Sequence, residues 1–101
     1  MPEKPATPQQ QLQVQIEIDP VTANGAFVNL AMVNHTETEF TLDLMYLQPQ
    51  APRAVVRARA IMTPQHMKRL VAALQDNLAK YEASFGPVPL GQPPQLPGAV
   101  A

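Results

Sequence analysis

Proline decides where this chain can build regular structure. Its ring fixes φ and removes a backbone donor, so a helix interior or a central strand rejects it. Of the 12 prolines, three (Pro2, Pro5, Pro8) precede residue 12 and five (Pro87, Pro89, Pro93, Pro94, Pro97) follow Gly86. Both ends are also rich in Gln, Gly and Ala, and they hold too little apolar surface to offset the entropy of ordering. Residues 1–11 and 87–101 are therefore expected to be disordered tails, and residues 12–86 a single domain. Pro94 and Pro97 match a PxxP spacing, but no Lys or Arg follows Lys80 to anchor such a ligand, so the segment reads as a linker. The other prolines, Pro20, Pro49, Pro52 and Pro64, fall at the borders of patterned segments.

Four of those segments alternate apolar and polar residues with period two, the mark of half-buried strands. The first, residues 12–19, sets Leu12, Val14, Ile16 and Ile18 against Gln13, Gln15, Glu17 and Asp19. Asp19-Pro20 ends it, and Asn24-Gly25 signals a turn. The second strand is expected over residues 26–34, a short loop at residues 35–38, the third strand over 39–47 and the fourth over 53–62. Thr63-Pro64 then opens a helix, since threonine caps free amides and proline suits the first helical position. Met67, Leu70, Val71, Leu74, Leu78, Tyr81 and Phe85 form one apolar stripe, and Gly86-Pro87 supplies the stop. The expected fold is α+β: a four-stranded antiparallel β-meander followed by one long C-terminal helix packed on the sheet. Leu74 is expected to press on the small residues Ala58 and Ala60.

Hairpin neighbours that stand opposite each other share a face. With turns centred near residues 36 and 51, the even-numbered residues come together as the core face: Val28, Leu30, Met32, Phe40, Leu42, Leu44, Val56, Ala58 and Ala60. The odd face is mixed and carries Phe27, Val33, Met45, Leu47, Val55 and Ile61, for which the chain offers no second covering element. These six are the expected oligomer or partner interface, because a patch of that size usually marks one.

Chemistry-bearing residues are sparse. No cysteine is present, so disulfides and thiolate metal sites are excluded. His35 lies near Glu37 and Glu39 in a loop that reads as a solvated turn, and His66 falls in the first helical turn. Asp43 is expected to pair across strands with Arg57 or Arg59. The four glycines make no phosphate-binding loop. Neither a catalytic constellation nor a cofactor or metal site is expected. A net charge of -1 argues against general nucleic-acid binding, although Arg57, Arg59, Lys68 and Arg69 could form a small basic patch. Residues 1–11 hold no apolar run and no stretch is long enough to span a bilayer, so the expectation is a cytoplasmic protein without membrane insertion.

Three blocks carry a resemblance. Asn34-His35-Thr36 with Glu39-Phe40-Thr41-Leu42-Asp43-Leu44, then Ile61-Met62-Thr63-Pro64-Gln65-His66, then Leu74-Gln75-Asp76-Asn77-Leu78-Ala79-Lys80-Tyr81-Glu82 occur in this order. Over about residues 24–86 the chain resembles a family of short prokaryotic proteins, the domain-of-unknown-function family thirty-four sixty-seven. That resemblance implies no activity, cofactor or site residue. The element order is also similar to that of SecB-type export chaperone subunits, at the level of fold alone. The functional expectation is a non-enzymatic, homo-oligomeric interaction module whose partners are itself and a further protein. The alternatives are a SecB-like holdase for unfolded polypeptide and a nucleic-acid-binding accessory protein.

Overall fold

The computed structural model describes residues 13–50, 52–92 and 99–100. Its order is α1 (Pro20–Ala23), β1 (Leu30–His35), β2 (Phe40–Leu47), β3 (Ala54–Met62), α2 (Pro64–Phe85) and β4 (Ala99–Val100). The fold is α+β, with a three-stranded antiparallel sheet of β1, β2 and β3 followed by a long helix. The two-residue β4 adds to the free side of β1, giving the order β3-β2-β1-β4.

The expected four-stranded meander is corrected at its start, since residues 13–19 make no ladder with any strand. Val14, Ile16 and Ile18 are 85%, 91% and 64% exposed. No strand supplies partners for their hydrogen bonds, and the chain turns directly into α1. Asp19 caps α1, accepting the Thr22 N–H at 3.1 Å, and Pro20 occupies the first helical turn. A capping aspartate followed by proline starts a helix as readily as it stops a strand. Asn24 closes the single turn, and Gly25 continues with φ 77°, a left-handed conformation that glycine adopts without steric cost.

β1 and β2 are joined through residues 36–39. The Thr36 N–H donates to the Glu39 carbonyl at 2.9 Å, and the Thr36 hydroxyl accepts the N–H groups of Thr38 and Glu39. This four-residue loop sets His35 opposite Phe40 and Leu30 opposite Met45. Odd residues of β1 therefore oppose even residues of β2. Asn29 extends the pairing beyond the strand: its side chain accepts the Leu47 N–H at 2.7 Å and donates to the Leu47 carbonyl at 3.1 Å.

β2 and β3 keep even-to-even pairing from Phe40 opposite Met62 to Leu44 opposite Ala58, and then Met45 stands opposite Val56. Arg57 is the extra residue of a β-bulge, which shifts the parity of everything before it. The expected even-numbered core face is corrected twice, at the hairpin loop and at the bulge. One face holds Ala31, Val33, Phe40, Leu42, Leu44, Ala58 and Ala60. The other holds Leu30, Met32, Asp43, Met45, Arg59 and Ile61. Among the described residues, the most buried lie on this second face: Asp43 at 1%, Leu30 at 3% and Met45 at 6% exposure.

The helix also departs from expectation, in its placement rather than its limits. Thr63 accepts the His66 N–H at 3.2 Å, Pro64 sits in the first turn, and Gly86 ends the helix with φ 95°. Beyond Met67 and Leu70, which are half-buried, the stripe does not pack on the sheet. Leu74 is 59% exposed, and Ala58 and Ala60, its expected landing strip, are exposed as well. Thr63 alone separates β3 from α2, too short a link to lay the helix back across the strand it follows.

Candidate interaction surface

Among the described residues, α2 carries a long apolar stripe that is open to solvent. Val71 is 43% exposed, Leu74 59%, Leu78 51%, Tyr81 51% and Phe85 76%. Leucines on a globular helix normally face a core, and these face solvent. Tyr81 and Phe85, one turn apart, bring their ring centroids to 5.0 Å. The opposite side of the helix is polar, with an exposed Lys80–Asp76 ion pair at 3.1 Å. Sequence reasoning found the stripe and assigned it to the core. The signal it passed over is the spacing of Met67, Val71, Leu74, Leu78, Tyr81 and Phe85, which alternates four and three residues, the repeat of a helix–helix seam.

The six residues expected to form an interface divide between the two faces of the sheet. Val33 opposes Leu42, Val55 opposes Tyr46, and Phe27 lies edge-on to Tyr46 with ring centroids 6.1 Å apart. These three belong to one face. Met45, Leu47 and Ile61 belong to the other, where Met45 is buried and Ile61 is 60% exposed. Phe27 at 72% and Val55 at 38% are also open to solvent. The β-bulge and the hairpin loop, which no residue count from the strands alone reveals, separate them.

Asp43 is where the polar chemistry of the sheet concentrates. Arg59 donates to both of its carboxylate oxygens, from Nε at 2.7 Å and from Nη2 at 3.0 Å. Those hydrogen bonds from Arg59 hold the carboxyl below its ordinary value of 3.8. Burial opposes the shift, and the guanidinium charge adds to it. The same contacts raise the Arg59 pKa. Because the folded value of Asp43 lies below the unfolded one, the pair stabilises the fold fully above about pH 4 and loses its effect as pH falls toward the folded value. Wild type and Asp43→Asn are therefore expected to differ in acid. Unfolding midpoints followed from about pH 6 to 2 should fall more steeply for wild type. Parallel curves would show that the acid response comes from other carboxyls, such as Asp19, whose pKa Thr22 lowers.

The basic patch is weakened by the same contacts. Arg59 is neutralised by Asp43, and the Arg57 guanidinium lies 5.4 Å from the Tyr46 ring centroid, a cation–π placement. His35 pairs with the Phe40 ring at 5.4 Å at the end of β1. Among the described residues, no three His, Asp or Glu side chains stand close enough to share a metal ion. A shallow groove of about 490 Å³ runs between the α1 turn and the sheet, lined in part by Val21, Val28, Leu44, Arg57 and Ala58. It is open and apolar, and among the described residues Arg57 is its one charged lining residue. No helix among the described residues is long and apolar enough to cross a membrane.

Comparison with known families places the chain. Residues 1–90 match the family described as Protein of unknown function (DUF3467), and the chain belongs to that family. None of the curated proteins and none of the solved structures compared with it matches.

Proposed function

We propose that this member of the family is a non-enzymatic interaction module that works as a homo-oligomer, an adaptor or assembly subunit. One observation carries the reading: a 22-residue helix presents an apolar stripe to solvent along most of its length. A helix gains most of its stability from burying such a face, so a stripe left open within the chain calls for a partner outside it. The small sheet adds to the argument, because few side chains are buried among the described residues and a small domain benefits from association. Static light scattering at micromolar concentration is expected to give a mass of at least two chains. A monomer at that concentration overturns the reading.

The open edge of the sheet favours a second reading, a holdase for unfolded polypeptide. β3 is an outer strand, exposed from Ala54 to Ile61, and an extended segment can add to such an edge through main-chain hydrogen bonds. Suppression of the aggregation of a chemically unfolded test protein would support it. No suppression at a several-fold molar excess would remove it.

A further inference from the structure

We propose that α2 is an antiparallel dimerisation seam, pairing with α2 of a second copy about a two-fold axis that crosses the seam at the level of Asp76. The inference rests on the self-association proposed above and names its surface and register.

The spacing of the seam comes first. Met67, Val71, Leu74, Leu78, Tyr81 and Phe85 follow one another at intervals of four, three, four, three and four residues. That repeat keeps a narrow line of side chains facing a neighbouring helix, whereas a helix lying on a sheet uses a broader face. Five of the six are 43–76% exposed, so the line is free to receive a partner.

Size selects the direction. The bulky members, Tyr81 and Phe85, lie at the C-terminal end and the slimmer Met67 and Val71 at the N-terminal end. In antiparallel register Met67 faces Phe85 of the second copy, Val71 faces Tyr81, and Leu74 faces Leu78. The two bulky layers are thereby split, each ring meeting a slimmer Met67 or Val71, which fills the interface evenly. In parallel register two Phe85 rings and two Tyr81 rings would crowd one end while two Val71 side chains left the other thin. Chain connection agrees. With Thr63 as the sole link between β3 and α2, a parallel pair would bring both sheets to one end, whereas an antiparallel pair keeps them at opposite ends of a seam about 33 Å long.

Charge supports the same register. Lys68 follows Met67 on one flank of the seam, and Glu82 follows Tyr81 on the same flank. An antiparallel two-fold axis brings Lys68 against Glu82 of the second copy, and does so twice. Glu82 accepts the Val88 N–H through Oε2 at 2.7 Å, which leaves Oε1 for the lysine. The remaining helix charges, Arg69, Asp76 and Lys80, fall on the outer side. The helix dipoles of an antiparallel pair also attract.

The absence of native cysteine makes the test direct. Full-length Met67→Cys protein is mixed with full-length Phe85→Cys protein carrying a size tag, allowed to exchange, and cross-linked with a short bifunctional thiol reagent. The mixed species is expected to dominate. Dominance of the two like-with-like species would overturn the antiparallel register. An oligomer seen by light scattering that cross-links at neither position would overturn the helix seam while leaving self-association intact, and a monomer would overturn both. The charge arm is independent. Lys68→Glu should weaken association several-fold, and adding Glu82→Lys should restore it. Failure of the double variant to recover, with circular dichroism matching wild type, would reject the pairing; Lys68 is exposed and Glu82 half-buried, and the hydrogen bond that Glu82→Lys removes ties only Val88, beyond the helix end.

Discussion

Replacing Leu74 and Leu78 together by alanine is expected to yield a folded chain that no longer self-associates. In the single chain these side chains are 59% and 51% exposed, so their loss opens no internal cavity. Alanine is also the strongest helix former, which offsets part of what α2 loses when its stripe is stripped. In the proposed helix pair, by contrast, the two leucines would form the central layers. Truncating a leucine in a closed site costs about 2–5 kcal/mol through lost transfer energy and the space left behind. Each dimer loses four such side chains, about 8 kcal/mol even at the low end, and each 1.4 kcal/mol is tenfold in affinity, so the dissociation constant should rise by roughly 10⁵-fold or more. Sedimentation at a series of concentrations measures this, with far-UV circular dichroism as the check on folding. The melting point should also change character. For wild type it should rise with protein concentration through mass action, and for the variant it should be flat. A variant that kept its oligomer and lost its structure would return the stripe to the interior of the chain.

Leu30→Ala acts on the other link, the folding of the sheet. Leu30 is 3% exposed, stands opposite Met45 at 6%, and shares its face with the buried Asp43. Removing it should cost about 2–5 kcal/mol. Against a total of about 5–15 kcal/mol for a small domain, that is a large share. The urea midpoint should drop markedly at any protein concentration. Ile61→Ala, at 60% exposure on the same face, should shift it by no more than about 0.5 kcal/mol. Equal losses at the two positions would show that this face is closed along its whole length by a second copy.

The features legible in the residues are those governed by neighbours in the chain. The limits of α2 follow from Thr63, Pro64 and Gly86, because a cap is satisfied within one turn and needs nothing from afar. The β2 and β3 strands follow from alternation bounded by prolines, and the Asp43–Arg59 pair follows from their antiparallel pairing, although Arg57 was an equal candidate. Residues 13–19 show the limit of that logic. Their alternation is as regular as that of β2, yet a strand exists only where a partner supplies its hydrogen bonds, and none does so here.

What tertiary structure alone decided is parity and placement. A loop of four residues after His35 and one extra residue at Arg57 each exchange the two faces of the sheet, since side chains alternate with period two and a shift of one residue inverts them all. The six apolar residues counted onto a single face were thereby separated. Helical periodicity, for its part, specified an apolar stripe on α2 but not the surface that covers it. The burial of an apolar face is non-directional, and a core, a sheet or a second helix satisfies it equally. The choice fell to geometry: one residue between β3 and α2 carries the helix away from the sheet and leaves the stripe facing outward.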